Sequence, residues 1–433
     1  MTTLVSRRTA IVSCLWIAAA LLEVRTTPGQ TVNDPNLSVT PHGSGFSAPT
    51  QLRFLGSDPQ DYFVTEKDTG IVKVVIDGVV STALDLNVAN NSERGLLGLE
   101  LHPGFAVNNQ VYLYYSATSA SDDGGAWTDN RLTRYEWNGA TLEPDADFAP
   151  LFFGTSGEGL ATGPNHDAGP ILFGPDGKLY GTTGDLNRDA AEQNNTATPS
   201  VSAGVGGIYR LNDDGSVPSD NPFFANANAD FRQWYAYGVR NTYGAAFDPV
   251  TGNLWDTENG PANFDEINLV APGFNSGWNE VMGPGPPGSL VSLGAAASYS
   301  DPEFSFEDTI ALTGLEFLAG SALGSAFDDA VVVGASNNGQ LYLFRLNASR
   351  TGFVLDGSLA DLVADNATEA SAVNFGDGFT AITDLQLGPD GALYVVSIGT
   401  GEIFRIIPEP ATQGMFAGLS LALLYFQRRR GKG

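Results

Sequence analysis

One pattern recurs along the middle of this chain and limits its fold more than any other feature: a turn of Pro, Asp and Gly type, then a short alternating or apolar strand. It occurs as HPGFAVNNQVYLYYS from His102, FGPDGKLYGTTGD from Phe173, FDPVTGNLWDTENG from Phe247 and LGPDGALYVVSIG from Leu387, with weaker copies near Phe54 and Phe327. Each copy supplies β-branched and aromatic residues bounded by Gly, Asn and Asp, the chemistry of strands and tight turns. No amphipathic helical stretch of comparable strength accompanies them. Six copies over about 350 residues give a period of about 60, long for a solenoid and suited to a propeller blade with its loops. The pattern predicts an all-β, six-bladed β-propeller that starts near Leu37 and closes around Ile406. Loops from several blades then converge at one mouth of a central channel, and polar residues beside the repeats become the candidate site.

Composition narrows the partners. The 433 residues include 49 Asp and Glu against 21 Lys and Arg, a formal net charge of -28. Such a field repels phosphate backbones and anionic lipid, which argues against nucleic acid and membrane-surface binding and leaves cations as better partners. Clustered Asp and Asn in turns offer the hard oxygen ligands that calcium takes.

Both ends read as addresses rather than fold. Residues 1–30 carry Arg7 and Arg8 and then an apolar run from Ala10 to Leu22, the pattern of a signal peptide, which implies export. Cys14, the one cysteine, lies in that run, so the mature protein is expected to lack disulfides. Residues 407–433 contain Pro408-Glu409-Pro410, an apolar stretch from Met415 to Phe426 and Arg428-Arg429-Arg430. This order resembles the PEP-CTERM sorting signal, which implies processing by an exosortase-type enzyme and retention at the bacterial surface or matrix. The apolar stretch is shorter than the roughly 20 residues that span a bilayer.

Three segments go beyond the repeat: ERGLLGLELHPGF from Glu93, NHDAGPILFGPDGKLYGTTGD from Asn165, and YGVRNTYGAAFDPVTGNLWDTENGPANFDEINLVAPGFNSGW from Tyr237. Together they resemble the soluble glucose/sorbosone dehydrogenases, six-bladed propellers that bind pyrroloquinoline quinone (PQQ) and calcium and oxidise aldose sugars. The resemblance implies that His166 is the catalytic base, Asp185 the acid that orients it and Arg240 the group that polarises the quinone. It places Glu93, Asn165, Asn241 and Asn259 near cofactor and substrate. It assigns the main-chain carbonyls of Gly260 and Pro261 to the calcium that anchors the cofactor, and Asp265 and Glu266 to the acidic pair after it, with the glutamate a ligand of a second, structural calcium. An imidazole near its free pKa suits the removal of a sugar hydroxyl proton. Of the other histidines, His102 reads as a hydrogen-bonder in a strand-end turn and His42 carries no signal.

The resemblance breaks at the cofactor's three carboxylates. Where the soluble glucose dehydrogenases use a lysine and two arginines, this chain has Asn337, Ala381 and Thr383, and the aromatic over the cofactor plane aligns with Phe306. Two functions from different classes follow: an exported PQQ-dependent sugar dehydrogenase, or a non-catalytic, calcium-stabilised surface propeller that binds glycan or matrix protein.

Overall fold

The computed structural model describes residues 29–154, 163–187, 195 and 205–409. Six sheets of four or five strands, antiparallel except for one short parallel pairing, form the six blades of a β-propeller. The innermost strands are Pro49–Phe54, Leu96–Leu101, Ile171–Phe173, Thr242–Phe247, Leu312–Phe317 and Ile382–Leu387, from blade 1 to blade 6, and they adjoin one another around the channel. The recurrent turn of the sequence joins the innermost strand of each blade to its second strand.

That turn has a side-chain logic in its two fullest copies. Asp176 accepts the backbone N–H of Lys178 at 3.0 Å and the Tyr180 hydroxyl at 3.0 Å, while Arg210 Nε on the next strand donates to its second oxygen at 3.0 Å. Asp390 repeats the arrangement with Ala392, Tyr394 and Arg405. Gly177 and Gly391 hold φ of +73° and +75°, a region costly for other residues. Aspartate, glycine and a tyrosine four residues after the aspartate are thus one device that pins three strands of a blade together.

Six buried apolar clusters sit at the six blade-to-blade contacts. Between blades 4 and 5, Trp255 is fully buried with its ring 5.3 Å from Phe353. Phe306, expected over a cofactor plane, belongs to this same cluster: it is 1% exposed and packs 5.0 Å from Phe304 and 4.8 Å from Tyr342. It lies on Phe304–Asp308, the fourth strand out from the channel in blade 4, and its ring packs toward blade 5.

The ring closes by pairing strands from opposite ends of the chain. Leu37–Ser44 lies against Glu402–Pro408 as the outer strand of blade 6, with Val39 opposite Ile406. Strand pairing extends past 37–406 on both sides: Thr31–Val32 adds to blade 5, Pro408 pairs with Leu37, and Glu409 N–H donates to Asn36 O at 2.6 Å. The signal-like residues 1–28 and the sorting-like residues from Pro410 lie outside the described residues.

Candidate active site

A cavity of about 420 Å³ opens at one end of the channel, lined by residues of all six blades. His166 stands on its wall, 8% exposed, in the loop before the innermost strand of blade 3. Its φ of +64° is a strained choice for a residue with a side chain, and the backbone is held there from below. Leu186 N–H donates to His166 O at 3.2 Å, and a Cβ on Gly184 would meet that carbonyl oxygen at 2.1 Å. Glycine before Asp185 is therefore what lets the two loops touch.

His166 is the middle of a three-member chain. Its Nδ1 lies 2.6 Å from Asp185 Oδ1, and Arg240 Nη2 lies 2.9 Å from its Nε2. An arginine only donates, so Nε2 accepts and the ring proton sits on Nδ1, facing the carboxylate. Asp185 is fixed from two further sides, by Asn187 N–H at 2.7 Å and by Trp278 Nε1–H on its other oxygen at 2.8 Å. Arg240 spreads its guanidinium 5.4 Å from the Trp278 ring centre and donates through Nη1 to the carbonyls of Asn259 at 2.7 Å and Gly260 at 3.0 Å. Burial draws its pKa down despite the nearby carboxylates.

Glu93 closes the wall from blade 2. Its Oε2 accepts the Tyr243 hydroxyl at 2.6 Å, Asn241 Nδ2 at 3.3 Å and the backbone N–H of His166. Burial, then the Glu93 charge, hold the Tyr243 phenol well above its usual range, so it stays a donor. Asn165 is placed differently from the other expected contacts: its side chain pairs with Ser92 Oγ and does not line the cavity.

The acidic pair divides. Asp265 lines the cavity, and both its oxygens accept backbone N–H groups, from Gly260 at 2.9 Å and from Ile310 and Ala311 at 2.7 Å each. It braces the Gly260 turn against blade 5. Pro261 is exposed at the rim, outside the cavity lining. Glu266 points into the sheet, directly opposite Glu258, with Asp256 two residues further along that strand. Burial pushes all three carboxyls up, and the Glu258 charge adds to it at Glu266 and Asp256. Asp256 Oδ1 has no hydrogen-bond partner among the described residues. No three His, Cys, Asp or Glu side chains among the described residues converge tightly enough to grip a bare metal ion.

Tyr243 and Trp278 were not singled out from sequence, although both fall inside the third motif segment. A tyrosine in a strand and a tryptophan in a turn read there as core; only the fold turns one to Glu93 and the other to Asp185. On the opposite wall, Asn337 and Thr383 line the cavity and Ala381 does not.

The family model for glucose/sorbosone dehydrogenases matches residues 46–405. The chain belongs to the glucose/sorbosone dehydrogenase family. It is 28% identical over 329 residues to an aldose sugar dehydrogenase of Escherichia coli, covering 74% of this chain and 78% of that one. It is 33% identical over 290 residues to quinoprotein glucose dehydrogenase B of Acinetobacter calcoaceticus, covering 61% and 57%. A structure described as a glucose dehydrogenase-type oxidoreductase of Thermus thermophilus superposes with a TM-score of 0.66 at 27% identity, over 86% of this chain and all of that one. The chain spans less than two thirds of the Acinetobacter relative's length, so that protein's activity is no property of this chain by similarity alone.

Proposed function

We propose that this glucose/sorbosone dehydrogenase family member is an exported sugar dehydrogenase in which His166 takes the hydroxyl proton of an aldose. The observation that carries the proposal is the Asp185–His166–Arg240 chain on the wall of a cavity large enough for a small organic ligand. Three buried polar atoms on that wall, Arg240 Nε, Asn241 Oδ1 and Asn259 Oδ1, lack partners among the described residues, so the cavity favours an occupant with hydrogen-bonding groups of its own. Arg240, Asn241 and the Asn259–Gly260 turn would hold the polar edge of a quinone such as PQQ. Bound there, the quinone supplies the hydride acceptor.

The residues do the rest. Asp185 keeps the proton on Nδ1, so the lone pair of His166 is at Nε2, facing Arg240. A sugar hydroxyl reaches Nε2 only if Arg240 Nη2 gives up its contact, and a ligand carbonyl offers the guanidinium an alternative acceptor. Binding and uncovering of the base are thereby one event. Proton uptake makes an imidazolium that Asp185 stabilises. Calcium at the Gly260 carbonyl would add positive charge beside the ligand, and Glu258 with Glu266, directly opposite each other on paired strands, would give a second calcium buried carboxylate oxygens.

A specific observation favours the alternative, a non-catalytic surface propeller that binds glycan or matrix protein. Asn337 and Thr383 add no cation to the blade 5 and 6 side of the cavity, Lys67 of blade 1, which also lines it, is held by Asp68 and the Ser92 and Arg94 carbonyls, and the Thr383 hydroxyl already donates to Pro49 O at 3.0 Å. Equilibration of the mature domain with calcium and PQQ, read by quinone absorbance and aldose-dependent dye reduction, separates the two. Dye reduction is the expected result, and its absence with the quinone unbound at micromolar concentration supports the binding module.

A further inference from the structure

Beyond the His166 cavity the channel continues into a second chamber of about 230 Å³. Gln51, Pro170 and Tyr243 line both, so the two are successive stretches of one channel. Three carboxylates from three blades line the second chamber, Glu100, Glu316 and Asp384, against a single guanidinium, Arg53. Arg53 Nε donates to Glu100 Oε2 at 2.8 Å and its Nη1 to Asp384 Oδ2 at 3.0 Å. One cation is thus shared by two anions, and Glu316 has no ion-pair partner among the described residues. Burial, then the Asp384 charge, push the Glu316 carboxyl up to about 8.

A second observation is independent of these charges. Gln51, a residue of the chamber wall, is 5% exposed, and its buried Oε1 meets no donor among the described residues. A buried amide oxygen in this position calls for a donor or a cation. Among the described residues the chamber's surplus is thus acceptor oxygen: the Glu316 carboxyl, which meets only the backbone N–H groups of Leu387 and Phe317, and Gln51 Oε1.

We propose that this chamber binds a hydrated magnesium ion, with the Glu316 carboxylate and Gln51 Oε1 as its main contacts and Glu100 and Asp384 ordering its water shell. A divalent ion that displaces the Glu316 proton leaves three carboxylates against Arg53, and it neutralises the two negative charges in excess where a monovalent ion does not. The carboxylates do not converge on a point, so the ion must bring part of its coordination with it. Magnesium does so most readily, since it dehydrates reluctantly, keeps several waters and takes one or two carboxylates, whereas calcium gives up its waters more easily to protein oxygens. At roughly 30 Å³ per water, the chamber has room for an ion and its shell. Its place between four blades makes the ion a clasp on the innermost strands, separate from the chemistry at His166.

The test is metal content per chain after equilibration of the mature domain with magnesium and calcium together. Wild type is expected to retain a magnesium equivalent that Glu316→Gln loses, with affinity weakened at least about tenfold for want of one charged contact, while calcium content stays the same. Magnesium added at saturating calcium should raise the melting temperature of wild type and leave that of Glu316→Gln unmoved. Should Glu316→Gln not fold, Gln51→Leu, which breaks no ion pair, gives the same reading. Equal magnesium content in wild type and variant, or none in wild type, overturns the proposal. Loss of a calcium equivalent instead overturns magnesium as the ion and leaves the site at Glu316 standing.

Discussion

The two walls of the His166 cavity differ in kind. On the side of blades 2 to 4, Glu93, His166, Asp185, Arg240, Asn241, Tyr243 and Trp278 form one connected set of hydrogen bonds in which each polar group fixes the next. On the side of blades 5 and 6, the corresponding surface is Ala311, Ser336, Asn337, Thr383 and Ile398, with no charge among them. The first wall is built to hold a reactive geometry and the second only to bound a space. A ligand here is oriented from one side, and selectivity should follow groups that Arg240 and its neighbours can reach.

The largest expected effect breaks the ordered wall at its centre. His166→Gln should lower any sugar oxidation by about 10²–10⁴, with melting temperature and quinone affinity near wild type, because glutamine fills the space and Arg240 keeps its carbonyl contacts. Steady-state dye reduction and a quinone titration read the two parts, and an unchanged rate would remove His166 from the chemistry.

The next prediction equips the plain wall. Asn337→Lys with Ala381→Arg and Thr383→Arg should raise PQQ affinity, by about tenfold or more for each cation that reaches a carboxylate, since charge-assisted hydrogen bonds contribute about 1.5–3 kcal/mol each. Ala381 holds φ of +54° and does not line the cavity, so its arginine should contribute least. Isothermal titration of the single and triple variants measures the order, and no gain in any of them would mean that the ligand's anionic end does not face this wall.

A smaller effect concerns the carboxylates behind the ordered wall. Asp256, Glu258 and Glu266 are held above their ordinary pKa by burial, and Glu303 is pushed up to about 7. A raised folded-state pKa means that stability is fully present below the unfolded value, about 4.3 for a glutamate, and is lost as pH rises through the folded one. The metal-free domain should therefore melt lower at pH 8 than at pH 5, and saturating calcium should flatten that slope by taking the place of the protons. Melting curves with and without chelator test it, and identical slopes would argue against calcium at Glu266.

The smallest effect lies far from both walls. Truncation after Glu409 should leave the melting temperature within about 1 °C of the full mature chain, because it removes no strand pair among the described residues. Truncation before Pro408 should cost more, since it removes the Leu37 pair and the Glu409 bond to Asn36. Differential scanning calorimetry of the two truncations gives the comparison. Release of the shorter protein into the medium would in addition test the sorting role of residues 407–433.

Much of the fold was legible because its signal is local and repeated. Asp176 and Asp390 make the same three kinds of bond in sequence neighbourhoods that look alike, so six copies of the turn gave the six blades. The site was legible through its three motif segments, which the fold brings within hydrogen-bond distance. What sequence did not reveal depends on where a side chain points across a blade. Phe306 lies on the fourth strand out from the channel in blade 4, and residue type does not tell how far from the axis a strand sits. Trp278 acts through one N–H and one ring face, a use that no spacing announces. The carboxylates of the second chamber, Glu100, Glu316 and Asp384, come from strands of three different blades, each an unremarkable acid by itself.

The closure of blade 6 has a mechanical consequence. From the channel outward its strands run Ile382–Leu387, Leu393–Ser397, Glu402–Pro408 and Leu37–Ser44, so the C-terminal strand is not the rim of the sheet. A tether fastened beyond Glu409 pulls along a strand flanked by ladders on both sides. Force in that direction is shared by many hydrogen bonds at once, as in a lap joint, whereas a strand at the rim would peel open one bond at a time. Drag on a propeller held by this end would be borne by the whole sheet, with the N-terminal strand acting as the outer splint.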